Sequence, residues 1–181
     1  MEDKPSMVVT TAYRIKRAVI SVSLLAFGMS FELLSRSDPR VRDEVQRWPE
    51  GWRFRLGVLP EGPAVNMVKQ TGRMRCMGMG VERDVDLAVM FKNVDAALLV
   101  FLARIGSPTA FAEHRAVAHG SIQQAMQVSR AMDIITLYLF PRIINRRTFK
   151  RMPPFQMSQW VNNMKLYLML GPALVFGALR K

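Results

Sequence analysis

Trp52-Arg53-Phe54-Arg55-Leu56-Gly57-Val58 decides the fold class. Trp52, Phe54, Leu56 and Val58 alternate with Arg53, Arg55 and Gly57, the two-residue repeat of a strand with one face on a core. Downstream, Pro60-Glu61-Gly62-Pro63 turns the chain. Residues 64–70 and 73–79 then read as a hairpin around Thr71-Gly72. Residues 84–92 alternate again, with Val85, Leu87, Val89 and Phe91 on one side. Four strands in succession with short connections predict an antiparallel meander rather than alternating parallel units.

The rest reads as helix. Residues 12–35 form a helix that is basic at its start and apolar through its middle, ended by Asp38-Pro39. A short polar helix over 40–47 precedes the turn Trp48-Pro49-Glu50-Gly51. Asn93 caps a helix over 94–104, with Asp95 in its positive first turn. Ser107-Pro108 opens another, Ser as cap and Pro at the first helical position. A last strand spans 114–119, and Gly120 turns the chain. Ser121 and Gln124 have capping-box spacing, so a long helix starts there and runs to about Phe140. Pro141 ends or kinks it, and residues 142–154 form a basic connector. Residues 156–181 form a last helix, kinked at Gly171-Pro172.

The chain has 181 residues, enough for one well-cored domain with appendages. Its formal charge is +12 and its pI near 10.8, which calls for an anionic partner, either lipid headgroups or nucleic acid. From residue 134 to 181 there is no Asp or Glu, yet Arg142, Arg146, Arg147, Lys150, Arg151, Lys165, Arg180 and Lys181 are basic. Two apolar runs, 134–140 and 166–179, lie among them. Cations meet anionic headgroups while apolar side chains enter the acyl boundary. A nucleic-acid site would use the same charge with Phe149 for stacking, and an ordinary solvated connector would need neither. The flanking apolar runs favour a membrane surface over both. Arg142, Arg146, Arg147, Lys150, Arg151 and Lys165, with Trp160 at headgroup depth, are the candidate membrane contacts. The 166–179 run would extend about 21 Å as a helix, against about 30 Å of hydrocarbon, so it lies in the interface or folds back rather than spanning.

A single cysteine, Cys76, excludes an internal disulfide framework and a cysteine-based zinc site. Tyr13-Arg14-Ile15-Lys16-Arg17 before the uncharged stretch 18–31, with Gly28-Met29-Ser30, is shaped like a secretory signal. The uncharged stretch is shorter than the roughly 20 residues a bilayer span needs, so an interfacial or core-packed helix is expected.

The order of elements resembles the sterol-carrier-protein-2 (SCP2) family of lipid-binding domains. The resemblance is carried by Val85-Asp86-Leu87-Ala88-Val89-Met90-Phe91-Lys92-Asn93, by Ile105-Gly106-Ser107-Pro108-Thr109-Ala110-Phe111-Ala112-Glu113, and by Arg115-Ala116-Val117-Ala118-His119-Gly120. It covers residues 48–140, with one departure: the family often has an acidic or amide residue where Ser121 stands. The nearest comparison within the family is the bacterial stand-alone branch of accessory lipid carriers linked to ubiquinone biosynthesis, which also carries a basic-apolar N-terminal helix.

The resemblance implies an α+β fold: a sheet of about five mainly antiparallel strands, covered by helices and enclosing an apolar tunnel. Residues 1–47 would be a basic-apolar helical segment, 48–140 the lipid-binding domain, and 141–181 the connector and C-terminal helix. Inward strand residues Trp52, Phe54, Leu56, Val85, Leu87, Val89 and Phe91 would line one wall of the cavity. Leu98, Phe101, Leu102, Phe111, Met126, Met132 and Ile135 would line the other. A one-residue slip would exchange the strand faces. No chemistry is implied: no cofactor or metal, and a bound lipid or fatty acyl ligand instead.

The residues agree. His114 and His119 fall on opposite faces of a strand, with no third ligand placed beside them. Asp84 and Asp86 share one strand face and read as a solvated surface rather than an acid/base pair. No nucleophile elbow, phosphate-binding loop or dinucleotide-binding loop is present. The expected protein is a cytoplasmic carrier, peripheral on anionic membranes. A scaffold for lipid or quinone biosynthetic enzymes is the alternative, and a basic nucleic-acid-binding module a third. The apolar termini are surfaces through which two subunits could pair.

Overall fold

The computed structural model describes residues 7–80, 84–102 and 104–139. Its strands are β1 (Arg53–Val58), β2 (Ala64–Gln70), β3 (Arg73–Met79), β4 (Leu87–Phe91) and β5 (Ala116–Gly120). They form one sheet in the order β3-β2-β1-β4-β5. The first three strands make the expected antiparallel succession. The fourth corrects the meander: β4 crosses to the far side of β1 and runs parallel to it, and β5 pairs antiparallel with β4. In a meander, β1 would be an edge, its backbone groups unpaired beside the buried Phe54, Leu56 and Val58. With β4 alongside, the most apolar stretch of the early chain becomes the centre of the sheet. The sheet is thus mainly antiparallel with one parallel pair.

Register places one face unambiguously. Phe54, Leu56 and Val58 lie beside Leu87, Val89 and Phe91, which in turn face Gly120, Ala118 and Ala116. On the other flank, Phe54 and Leu56 lie beside Met67 and Val65.

Five helices complete the described residues: α1 (Met7–Ser37), α2 (Pro39–Gln46), α3 (Val94–Phe101), α4 (Ser107–Ala112) and α5 (Ile122–Leu139). Helix α1 packs one face of the N-terminal stretch into the core. Ile20, Leu24, Phe27, Phe31 and Leu34, spaced by three or four residues, are buried. Gly28 is a point of close approach to the sheet: a Cβ there would lie 2.8 Å from both Cys76 Sγ and Val65 Cγ2. By length and composition α1 could also cross a membrane, but half of its apolar window is buried in protein. Helices α1 and α2 therefore share one core with the sheet, although they precede residue 48.

Aromatic rings knit that core. Phe27 meets Phe31 edge-on at 5.9 Å, Phe31 meets Trp48 at 6.1 Å, and Trp48 lies 4.5 Å from Trp52, which stacks on Phe54 at 5.9 Å. Phe101 bridges Phe27 and Phe91 at 6.2 and 5.8 Å. Each such pair contributes about 0.5–1.5 kcal/mol beyond its area.

Polar contacts then fix α2 against α5. Asp38 caps α2, accepting from the Arg40 backbone N–H at 2.8 Å. Its carboxylate also accepts from the Arg40 guanidinium at 2.9 Å and from the Tyr138 hydroxyl. Burial alone would raise the Asp38 pKa, but these bonds outweigh it and hold the carboxyl below the usual range. Burial, with the Asp38 carboxylate beside it, pushes Tyr138 up to about 12. Further along the same seam, Arg130 pairs with Glu44 through Nε and Nη2 at 2.9 and 3.1 Å. The Trp48 indole N–H donates to Gln127 Oε1 at 2.7 Å.

Two cap readings separate here. Asn93 Oδ1 accepts from Ala96 N at 2.7 Å, as expected. Ser107 is not a cap: Gly106 holds that place, and Ser107 opens α4 ahead of Pro108. Its buried hydroxyl lies close enough to Asp133 of α5 to pull that carboxyl's pKa down.

Candidate functional site

A cavity of about 510 Å³ lies between α4, α5 and the outermost strand β5. Its position follows from side-chain size. Across the sheet face, β1 and β4 carry Phe, Leu and Val, which fill the space beneath the helices. In the same rows β5 carries only Ala116, Ala118 and Gly120. The short side chains leave room under α5, and Ala125 on the helix widens it. Gly120 has no substitute: its φ is +136°, and a Cβ would lie 2.5 Å from the Asp86 carbonyl oxygen.

Pro108 and Phe111 of α4 form one wall, Ala118 and Gly120 the floor, and α5 the third side. The α5 residues are Ile122, Ala125, Met126, Ser129, Arg130 and Asp133. Their helical spacing sets them along one stripe, about 16 Å from first to last. The stripe is graded. Ile122 is 80% exposed and Met126 61% exposed, so the outer rim is bare hydrocarbon. Ser129 and Asp133 are half-buried.

Asp133 is the chemically distinctive member. Burial pushes its carboxyl up from the ordinary 3.8 to about 6, against a smaller lowering pull from the nearby Ser107 hydroxyl. Ser107 itself is buried. Arg130 also borders the cavity, but its charge is met by Glu44. The pair leaves Asp133 as the uncompensated charge among the described lining residues.

Of the residues expected to line a cavity, Phe111 and Met126 border this one. Trp52, Phe54, Leu56, Leu87, Val89, Phe91, Phe101, Met132 and Ile135 are buried in the packed core, where the strand members do share one face. Val85 and Leu98 are half-buried, and Leu102 is 46% exposed. Arg142, Arg146, Arg147, Lys150, Arg151, Trp160 and Lys165 lie outside the described residues. The sequence reading missed Asp133, Ser129, Arg130, Ala118 and Ile122. One signal was present: Asp133 is the single acidic residue between 114 and 181.

Both acids of the Asp84–Asp86 pair meet Arg53. Asp86 accepts from the Arg53 backbone N–H at 2.7 Å, and Asp84 lies 3.8 Å from the Arg53 guanidinium. His114 and His119 are both exposed. Among the described residues no group of three or more His, Cys, Asp or Glu is gathered for a metal. Cys76 is half-buried, and burial raises its thiol pKa.

No family model and no curated protein matches the chain. Solved structures do. A UbiJ-SCP2 ubiquinone synthesis protein is 12% identical, with 71% of this chain and 98% of that one covered and a TM-score of 0.41. A conserved hypothetical protein of Thermus thermophilus, suggested to be a sterol carrier protein, is 17% identical over 70% of this chain and 89% of its own, with a TM-score of 0.46. A crystal structure of sterol carrier protein 2 is 16% identical, covering 64% of this chain and 94% of that one, with a TM-score of 0.45. In fold, the chain is similar to solved SCP2-domain structures.

Proposed function

We propose that this protein is a non-catalytic carrier that binds an elongated apolar ligand, a lipid or an isoprenoid, in the cavity between α4, α5 and β5. The observation that carries the reading is the cavity: about 510 Å³, lined mainly by apolar side chains and rimmed by the exposed Ile122 and Met126. Its volume lies within the roughly 300–1,000 Å³ of small-molecule sites. A folded chain gains nothing from leaving such a surface in water. A ligand chain gains about 0.8 kcal/mol for each methylene it buries there.

Ligand would enter and leave at an anionic membrane surface on the cytoplasmic side. The basic stretch from Arg142 to Lys165 and the net charge of +12 support that part of the reading. So does the bare rim, since Ile122 and Met126 would be covered when the mouth meets the acyl boundary. Binding and release need no bond to be made or broken, so the function is transfer or presentation of the ligand.

The test is to purify the full chain, extract it with organic solvent and identify co-purifying lipids by mass spectrometry. Binding of the neutral dye Nile red is measured alongside on delipidated protein. Ala125→Phe places a ring in the cavity and should weaken dye binding at least about tenfold, the loss expected when bulk replaces the space a ligand needs. Undiminished binding in that variant, with no co-purifying lipid, would remove the reading.

A further inference from the structure

We infer that Asp133 is the specificity-determining group of the pocket, selecting amphiphiles whose head is cationic or hydrogen-bond-donating and turning away those that end in a carboxylate. The inference rests on the pocket reading above and deepens it.

The pocket offers a ligand head a graded surface. Along α5 the lining passes from Ile122 and Met126, which are apolar and exposed, to Ser129 and then Asp133. An amphiphile lying along this stripe meets hydrocarbon at one end and a carboxyl at the other. The two neighbouring elements bring no compensating charge. From α4 the lining residues are Pro108 and Phe111, and from β5 they are Ala118 and Gly120. On α5 itself, Arg130 is the other charged lining residue, and Glu44 of α2 holds it in a two-point pair.

A carboxylate head would therefore sit beside a like charge, with the one lining cation already paired. An ammonium would sit beside an opposite charge, and a hydroxyl could donate to it. The nearby Ser107 hydroxyl favours the carboxyl's charged form. An ionised carboxyl has room for about four donors, so a ligand group can still be received. The low polarity that makes Asp133 costly to ionise also makes an approaching donor more valuable.

Nothing in the packing of the fold requires an acid here. Asp133 makes no ion pair among the described residues. A half-buried acid kept at an energetic disadvantage on the wall of a cavity is the pattern of a binding group.

The experiment compares three probes of equal chain length: decylamine, decanol and decanoate. Each displaces Nile red from delipidated full-length protein at about pH 7.5, where amine and carboxylate are both charged, below its micelle concentration. The expected order is decylamine, then decanol, then decanoate, with at least about tenfold between first and last. In Asp133→Asn that ratio should fall by about tenfold or more, and Asp133→Glu should restore part of it. Circular dichroism confirms that each variant is folded, and the wild-type ratio is informative without either. If Nile red binds but amine and carboxylate compete equally, or the carboxylate competes better, the inference fails and the pocket reading stands. If neither Nile red nor any decyl probe binds, the pocket reading fails and takes the inference with it.

Discussion

Replacing Asp133 by Asn should make the protein more stable at neutral and alkaline pH, by about 2 kcal/mol. The carboxyl rises from 3.8 to about 6 because burial penalises its charge. At about 1.4 kcal/mol for each pH unit, that rise is about 3 kcal/mol of penalty at pH 8, and partial exposure of the site brings it nearer 2. The sign follows from proton binding. Below about pH 4 the carboxyl is protonated in both folded and unfolded chains, so it contributes no difference. Between about pH 4 and 6 the unfolded chain ionises first, and stability is lost as pH rises. Above about pH 6 the whole penalty is present. Asn keeps the size and shape of the side chain and carries no charge. Urea unfolding of wild type and Asp133→Asn should therefore give curves that coincide near about pH 3.5 and separate through about pH 4–6. At pH 8 they should differ by about 2 kcal/mol in favour of Asn. A variant no more stable than wild type at about pH 8, or an advantage equally large at about pH 3.5, would refute the reasoning.

Three further outcomes follow from the packing. Tyr138→Phe removes the hydroxyl that donates to the buried Asp38 carboxylate, and should cost about 1–3 kcal/mol in urea unfolding at neutral pH. The loss should shrink when Asp38 is also changed to Asn, since the charge that needs the donor is then gone. Gly28→Val forces methyl groups into Val65 and Cys76, and should cost about 1–3 kcal/mol through overpacking, seen as a lower thermal midpoint. Cys76 should react slowly with iodoacetamide at about pH 7.5 and quickly in urea, because burial raises its pKa and restricts access.

Much of the architecture was legible because it is locally encoded. The hairpin over Ala64–Gln70 and Arg73–Met79 could be read residue by residue, since Thr71-Gly72 supplies a turn at which both residues take positive φ. Asn93 could be read as a cap because its partner is three residues away. The pairing of β4 with β1 could not: it joins Phe54 to Leu87 across an intervening hairpin, and alternation says which face is buried but not which strand is adjacent. Ser107 was misread for a related reason. Its place before Pro108 suits a cap, but it is already the first residue of α4, buried near Asp133 far along the chain on α5. The cavity was the hardest feature. Periodicity picked out Phe54, Leu56, Leu87 and Val89 as inward residues, and they are inward. An inward residue fills space, however, and a cavity forms where several elements are short of bulk at once. That shortage is the coincidence of Ala118, Gly120 and Ala125, three small residues from two elements.

The small residues around the cavity and the large residues of the aromatic core are different sets of side chains. Substitutions at Ala118 or Ala125 would alter the shape of the cavity while leaving the interlocked rings of Phe27, Phe31, Trp48, Trp52 and Phe54 untouched. Room at one end of the sheet can therefore be resized in small steps without loosening the rings that hold the helices to it.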